Sequence, residues 1–240
     1  MIEILRPAIF DSTKTQSGVT EINKKLFPKY GLSLSPAEIL SNEEYNIHLQ
    51  MFAHSRGIAK EQIKFNKQIH SNIVRIVDRN SQIEEADALI TNTKRLMLLI
   101  KIADCAAVLM HDTENNVIAA VHSGWRGSKL NISGKTVDTM INKFGTNPKK
   151  LLTYISPAAS IKKYEVGEEF LDYFPDTTFK KGKKYYFDNK ATISNQLIAA
   201  GVNSSMIEIS SICTIGNKDY HSYRRDGKKS GRMGAFIMMK

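Results

Sequence analysis

Cys105 and His122 lie at the ends of two apolar runs, in KIADCAAVLMHD and NVIAAVHSGWRGS. A thiolate and an imidazole are ligands that zinc and copper both favour, and strand ends hold such side chains in fixed positions. A third ligand is then required. His70, in QIHSNIV, is the leading candidate. The three residues are too widely separated for a zinc finger, so the fold has to assemble them. Three protein ligands with an open fourth position is the pattern of a catalytic zinc; structural sites close with four ligands.

Asp104 precedes Cys105 directly. In a continuing strand its side chain would point to the opposite face; if the strand ends there, it can turn toward the site as a base or as the orienter of a histidine ligand. The alternative is an exposed or capping aspartate. His111 and His221 read as surface histidines, and Cys213 reads as a core residue of a late strand.

The elements that must position these residues follow from the hydrophobic pattern. IEILRPAIF is an opening strand bent at Pro7. Ser35-Pro36 followed by acids starts a helix from Pro36 to about Met51, running on until Gly57 breaks it. Ile63 to Val77 reads as two short strands with His70 beside their turn. Leu96–Ala103 and Ala106–Met110 are near-continuous apolar runs, which predicts central strands covered on both faces. Val117 to His122 is a further strand.

Val137, Met140, Ile141 and Phe144 fall on one face of an amphipathic helix that Gly145 ends, with Pro148 beyond. LLTYISP is a strand, YEVGEEFLDYF a short helix, and the lysines around Gly182 a solvated loop. A strand and a helix ending at Gly201 follow, then the strand IEISSICTIG. A basic, glycine-punctuated loop precedes a last strand, Ala235 to Met239. With no repeat, linker or low-complexity tract, residues 1–240 are expected to form one domain of mixed α and β structure in which strands outnumber helices.

Composition narrows the class. The 240 residues allow a substantial core, and no apolar run reaches the roughly 18 residues that suggest a membrane span. The first residues lack the pattern of a signal peptide. Two cysteines exclude a disulfide framework, so a reduced, cytoplasmic protein is expected. Lys and Arg number 34 against 24 Asp and Glu, a net charge of +10. The lysines are scattered and no aromatic platform interleaves them, so nucleic acid is not the expected partner.

QIHS, ADALIT, IADCAAVLMHD, AAVHSGWRG, SPAASIKKYEVG and SYRRDGKKSGRMGAFI together resemble the laccase-domain family, also called the multicopper polyphenol oxidase or YfiH/YlmD family, which includes bacterial purine nucleoside phosphorylases. The match runs from about residue 65 onward. It implies an α/β (α+β) fold with mixed β-sheets layered between helices, related to the catalytic domain of the bacterial cytotoxic necrotising factor. It implies zinc held by His70, Cys105 and His122, phosphorolysis of adenosine, inosine, guanosine or methylthioadenosine, and deamination of adenosine. The family's N-terminal signature T-R-x-G-G-V-S appears only as TKTQSGVT, with Thr15 in place of the arginine. Its G-P-x-I loop appears as Ser156-Pro157-Ala158-Ala159.

Phosphorolysis requires a cradle for a dianion, and arginines supply one. Arg126, Arg224, Arg225 and Arg232 are the candidates, each with a structural ion pair to Asp226, Glu168 or Glu169 as its alternative role. Trp125 stacks on a purine or anchors packing. Zinc would lower the pKa of a bound water to near 7 for attack at adenine C6. The rivals are a copper oxidase of phenols, which six dispersed histidines supply poorly, and a hydrolase with Cys105 as nucleophile and His122 as base. A non-enzymatic accessory role in cell-wall or division metabolism is also open. Metal content separates the zinc, copper and cysteine-hydrolase readings.

Overall fold

The computed structural model describes residues 2–240. In chain order they form β1 (Ile4–Leu5), β2 (Thr15–Thr20), α1 (Asn42–Ser55), β3 (Ile63–Lys64), β4 (Val74–Ile76), β5 (Ala88–Thr91) and β6 (Met97–Ile102). The middle of the chain gives β7 (Ala106–Asp112), β8 (Val117–Ser123), α2 (Trp125–Lys129), α3 (Ile132–Phe144), β9 (Leu152–Ile155), β10 (Glu165–Val166) and α4 (Phe170–Tyr173). The remainder is β11 (Thr178–Lys181), β12 (Lys184–Phe187), α5 (Asn189–Ala199), β13 (Ile207–Ile209), α6 (Tyr223–Asp226) and β14 (Met233–Met239).

Two mixed sheets dominate, ordered β1-β2-β14-β6-β3 and β13-β9-β7-β8-β5-β4, with a small β10-β12-β11 sheet beside them. Strand parity explains the apolar runs. Ala107 and Leu109 of β7 join Leu98, Ile100 and Ile237 of the other sheet in one buried layer. Ala106, Val108 and Met110 pack instead with Val137 and Met140 of α3 and Leu197 of α5. On the far side, Met97, Leu99 and Phe236 meet Leu49 and Phe52 of α1. The protein is therefore four layers, α1, five strands, six strands, then α3 and α5, and both central sheets are covered on each face as the near-continuous runs require.

Several boundaries differ from the sequence reading. The first helix begins at Asn42, because Ser41 caps it in a reciprocal box with Glu44, while Ala37 takes a left-handed backbone that no helix from Pro36 accommodates. The opening strand pairs only over Ile4–Leu5. YEVGEEFLDYF is a two-residue strand and one turn of helix, since Glu165 and Val166 pair with Tyr186 and Tyr185. The lysines around Gly182 are a β-hairpin, Gly182 supplying the positive φ of its turn.

Cys213 lies outside β13, half-exposed, on a single bridge to Ala158. His111 and His221, expected at the surface, are each 3% exposed. His111 sits within β7, and the ring of His221 donates to the Leu32 carbonyl at 2.9 Å.

His221 makes stability depend on pH. Burial disfavours the imidazolium and holds the group down at about 4, the Leu32 hydrogen bond opposing this, whereas an unfolded histidine titrates near 6.5. The unfolded chain therefore binds the extra proton between those values. The contribution of His221 is complete above pH 6.5 and falls by about 3 kcal/mol as pH drops toward 4. Urea unfolding at pH 7.5 and pH 4.5 should show a larger loss for the parent chain than for His221→Gln; equal losses would contradict the assignment.

Candidate metal centre and active site

Two crossings from the five-stranded to the six-stranded sheet carry the ligand candidates. The β3–β4 connection holds His70, and the β6–β7 bend holds Asp104 and Cys105. His122 is the penultimate residue of β8, paired with Ala107 across the β7–β8 ladder. His122 shares its strand face with Ile118 and Ala120, which belong to the layer between the sheets.

The donor atoms of His70, Cys105 and His122 lie within 4.8 Å of one another. That is close to the reach of one ion bonded at about 2.0–2.3 Å. The two imidazoles meet edge to face, with centroids 4.8 Å apart. Gly124 makes room for this cluster: a Cβ there would come within 2.8 Å of the Cys105 sulfur and 3.3 Å of His70 Cδ2. His70 is exposed, Cys105 half-buried and His122 4% exposed, so the cluster opens to solvent on the His70 side.

One residue that the sequence reading did not assign holds the cluster together. Asp87, 0% exposed, accepts hydrogen bonds from the backbone N–H of Ile69, His70 and Ser71 and from the Ser71 hydroxyl. Its Oδ1 also accepts from His122 Nδ1 at 2.8 Å. A carboxylate only accepts, so Nδ1 carries a proton and Nε2 is the atom turned to the cluster, able to ligate a metal once it gives up its own proton. The same aspartate fixes the left-handed His70 backbone, φ 61°, which is uncommon for a non-glycine residue. Its legible signal was a lone acid within the apolar run of ADALIT.

The electrostatics are mutual. Burial pushes the Asp87 carboxyl up, but hydrogen bonds from His122 and Ser71 outweigh it and bring it to about 2. Burial disfavours protonated His122, yet the bonds to Asp87 and Cys105 raise it to about 9. Burial pushes the Cys105 thiol up, and hydrogen bonds and charge from His122, then His70, bring it down to about 6. The cysteine is thus prepared as a thiolate, the form in which it ligates metal.

Asp104, with φ 80°, sits where β6 has ended. Its carboxylate accepts from the Thr214 hydroxyl at 2.6 Å and from the Arg224 N–H at 2.6 Å. It ties the C-terminal loop to the cluster, and the histidine orienter is Asp87. The four arginines separate. Arg225 is held by the carbonyls of Thr214, Asn217 and Tyr220 and by Asp226, which makes it a clamp within the loop. Arg224 donates to the Glu165 carbonyl, and Arg126 lies exposed with its guanidinium 4.4 Å from the Trp125 ring centre.

Arg232 alone of the four lines the cavity of about 560 Å³ that contains His70, Cys105 and His122. In a separate cavity Trp125, Tyr164, Phe170 and Arg224 wall an aromatic slot, tied to the β6–β7 bend by the Arg224 N–H bond to Asp104. Trp125 is both a wall of this slot and a packing anchor against Phe170, at 5.3 Å. Burial and then the Cys105 charge push the Tyr164 phenol up.

Residues 37–240 match the family model described as multi-copper polyphenol oxidoreductase laccase. The chain belongs to this laccase-domain family. It is 36% identical over 182 residues to a purine nucleoside phosphorylase of Clostridium acetobutylicum, covering 74% of this chain and 77% of that one. A purine nucleoside phosphorylase of Corynebacterium glutamicum is 33% identical over 192 residues, 76% of each chain. The fold is that of YlmD from Geobacillus stearothermophilus, TM-score 0.88 at 22% identity over 98% of this chain and 94% of that one. YfiH from Bacillus licheniformis gives TM-score 0.87 at 24% identity, covering 94% and 93%. The donor set fits one ion, and among the described residues His70, Cys105 and His122 are the one group of three such ligands that stands close enough to share it.

Asp87→Asn should lower metal affinity about 10–100-fold, read by competition with a chromophoric chelator; unchanged affinity would contradict its orienting role. Gly124→Ala, which drives a methyl at the Cys105 sulfur, should reduce metal bound per chain while the far-ultraviolet circular dichroism stays unchanged.

Proposed function

We propose that this laccase-domain protein is a zinc-dependent purine nucleoside phosphorylase. The observation that carries the reading is a three-donor cluster, open on one side, in a cavity that also holds the cation of Arg232; an aromatic slot walled by Trp125, two residues after Ser123 of β8, is available for a base. The names of its relatives support it. Adenosine, inosine, guanosine and methylthioadenosine are the substrates proposed, with inorganic phosphate.

His70, Cys105 and His122 would hold the zinc, and a bound zinc would supply Lewis acidity toward an oxygen of substrate or phosphate. Arg232 neutralises the phosphate dianion, and Arg224 stands in the wall of the aromatic slot. Trp125 and Tyr164 receive the purine ring. In phosphorolysis a phosphate oxygen bonds to C1′ and the C1′–N9 bond breaks. The base keeps that electron pair and takes a proton, leaving ribose 1-phosphate. Deamination of adenosine to inosine and ammonia is the proposed second activity of the same centre.

One observation favours a second reading. Asp87 holds His122 through Nδ1, His122 lies beside Cys105 within the cluster, and the thiol is lowered while the imidazole is raised, an arrangement that suits a cysteine hydrolase. A sulfur bound to zinc is not free to attack, so metal content separates the two.

Purified protein should contain about one zinc per chain and release hypoxanthine from inosine only with phosphate present. Cys105→Ala should lose the zinc and both activities. Absence of phosphate-dependent cleavage would remove the phosphorylase reading, and activity in the metal-free protein would favour the hydrolase.

A further inference from the structure

Within the cavity that holds the metal-ligand cluster stands one cation with no assigned task. Lys101, the penultimate residue of β6, lines that cavity together with Arg232. It is half-buried and makes no ion pair among the described residues. Its ammonium lies 4.6 Å from the centre of the Phe65 ring, and burial alone pulls it below the ordinary lysine range. Two further charges of the wall are paired: Lys67 with Glu85 at 2.7 Å, and Glu38 with Lys228 at 3.2 Å.

The backbone holds Lys101 in register with the ligands. The Gln68 side chain accepts from the Lys101 N–H and donates to the Lys101 carbonyl, each at 2.8 Å, so the loop that carries His70 is clamped to this residue. Across the ladder, Gly234 faces Lys101, and Arg232, just before β14 begins, lines the same cavity as Lys101. Arg232 donates to the Ser230 and Gly231 carbonyls and, like Lys101, makes no ion pair with a carboxylate among the described residues, so the wall carries two cations that attract an anion from solvent.

We propose that Lys101 is the second anchor of the inorganic phosphate, bridging it to Arg232. The proposal rests on the phosphorylase reading for the identity of the anion. Lysine suits the task as a mobile point charge that follows the phosphate from free dianion to ribose ester, while arginine fixes its orientation.

Two measurements test it separately from activity. Phosphate titration followed by ³¹P NMR should show binding to the parent protein, weakened at least tenfold in Lys101→Met and restored toward the parent in Lys101→Arg. In the unsubstituted protein, phosphate should slow reductive methylation of Lys101 and leave Lys67 unaffected, a readout independent of how the variants fold. In turnover, Lys101→Met should raise the KM for phosphate about tenfold with the nucleoside KM within twofold. Equal phosphate binding by Lys101→Met, or no protection of Lys101, overturns the proposal. Phosphate binding at Lys101 without phosphate-dependent cleavage supports the anchor and overturns the phosphorylase reading instead.

Discussion

The candidate centre depends on a buried carboxylate that has no contact with solvent. Asp87 accepts three backbone N–H groups, a hydroxyl and an imidazole, and each bond addresses a different requirement. The N–H bonds hold the His70 loop in a backbone region that a histidine seldom occupies. The imidazole bond selects the His122 tautomer. A buried charge with so many donors is stable where an unpartnered one would be costly, and without it the two histidines would lose their common reference point.

The arrangement of sheets explains why such a reference is needed. β3 belongs to one sheet and β4 to the other; β6 and β7 divide the same way. His70 and Cys105 lie on these two crossings, and His122 enters from a hairpin strand beside them. The cluster is therefore a seam between two sheets. Apolar contacts in the layer between the sheets set their spacing, roughly 10 Å for packed sheets, and polar contacts at the rim set the donor positions.

Much of this was legible in the sequence. The apolar runs around Cys105 and before His122 gave two central strands, and the clustering of His70 with them is what the structure contains. The amphipathic spacing of Val137, Met140, Ile141 and Phe144 gave α3 and its Gly145 end. What escaped was long-range. Asp87 reads locally as one polar residue in a strand, and its role exists only because the loop before it folds back over it. Lys101 reads as a lysine near a strand end, and only sheet pairing sets it beside Arg232. His111 and His221 read as surface residues because hydropathy does not register a polar ring accepted into a packed layer. The start of α1 was misplaced because Ser-Pro with following acids marks a helix start in general, while the reciprocal Ser41–Glu44 cap lies further on.

β14 pairs with β2 on one side and β6 on the other, although nearly the whole chain separates it from β2 in sequence. Until it inserts, both neighbours present open hydrogen-bonding edges, the kind of edge that recruits other chains. Insertion of this strand also brings Arg232 and the loop bonded to Asp104 to the cavity. Completion of the sheet and completion of the cavity are thus one event in folding. A chain with β14 unpaired would carry an exposed sheet edge and a cavity without Arg232 together, and pairing across so long a sequence separation raises the contact order, which slows folding.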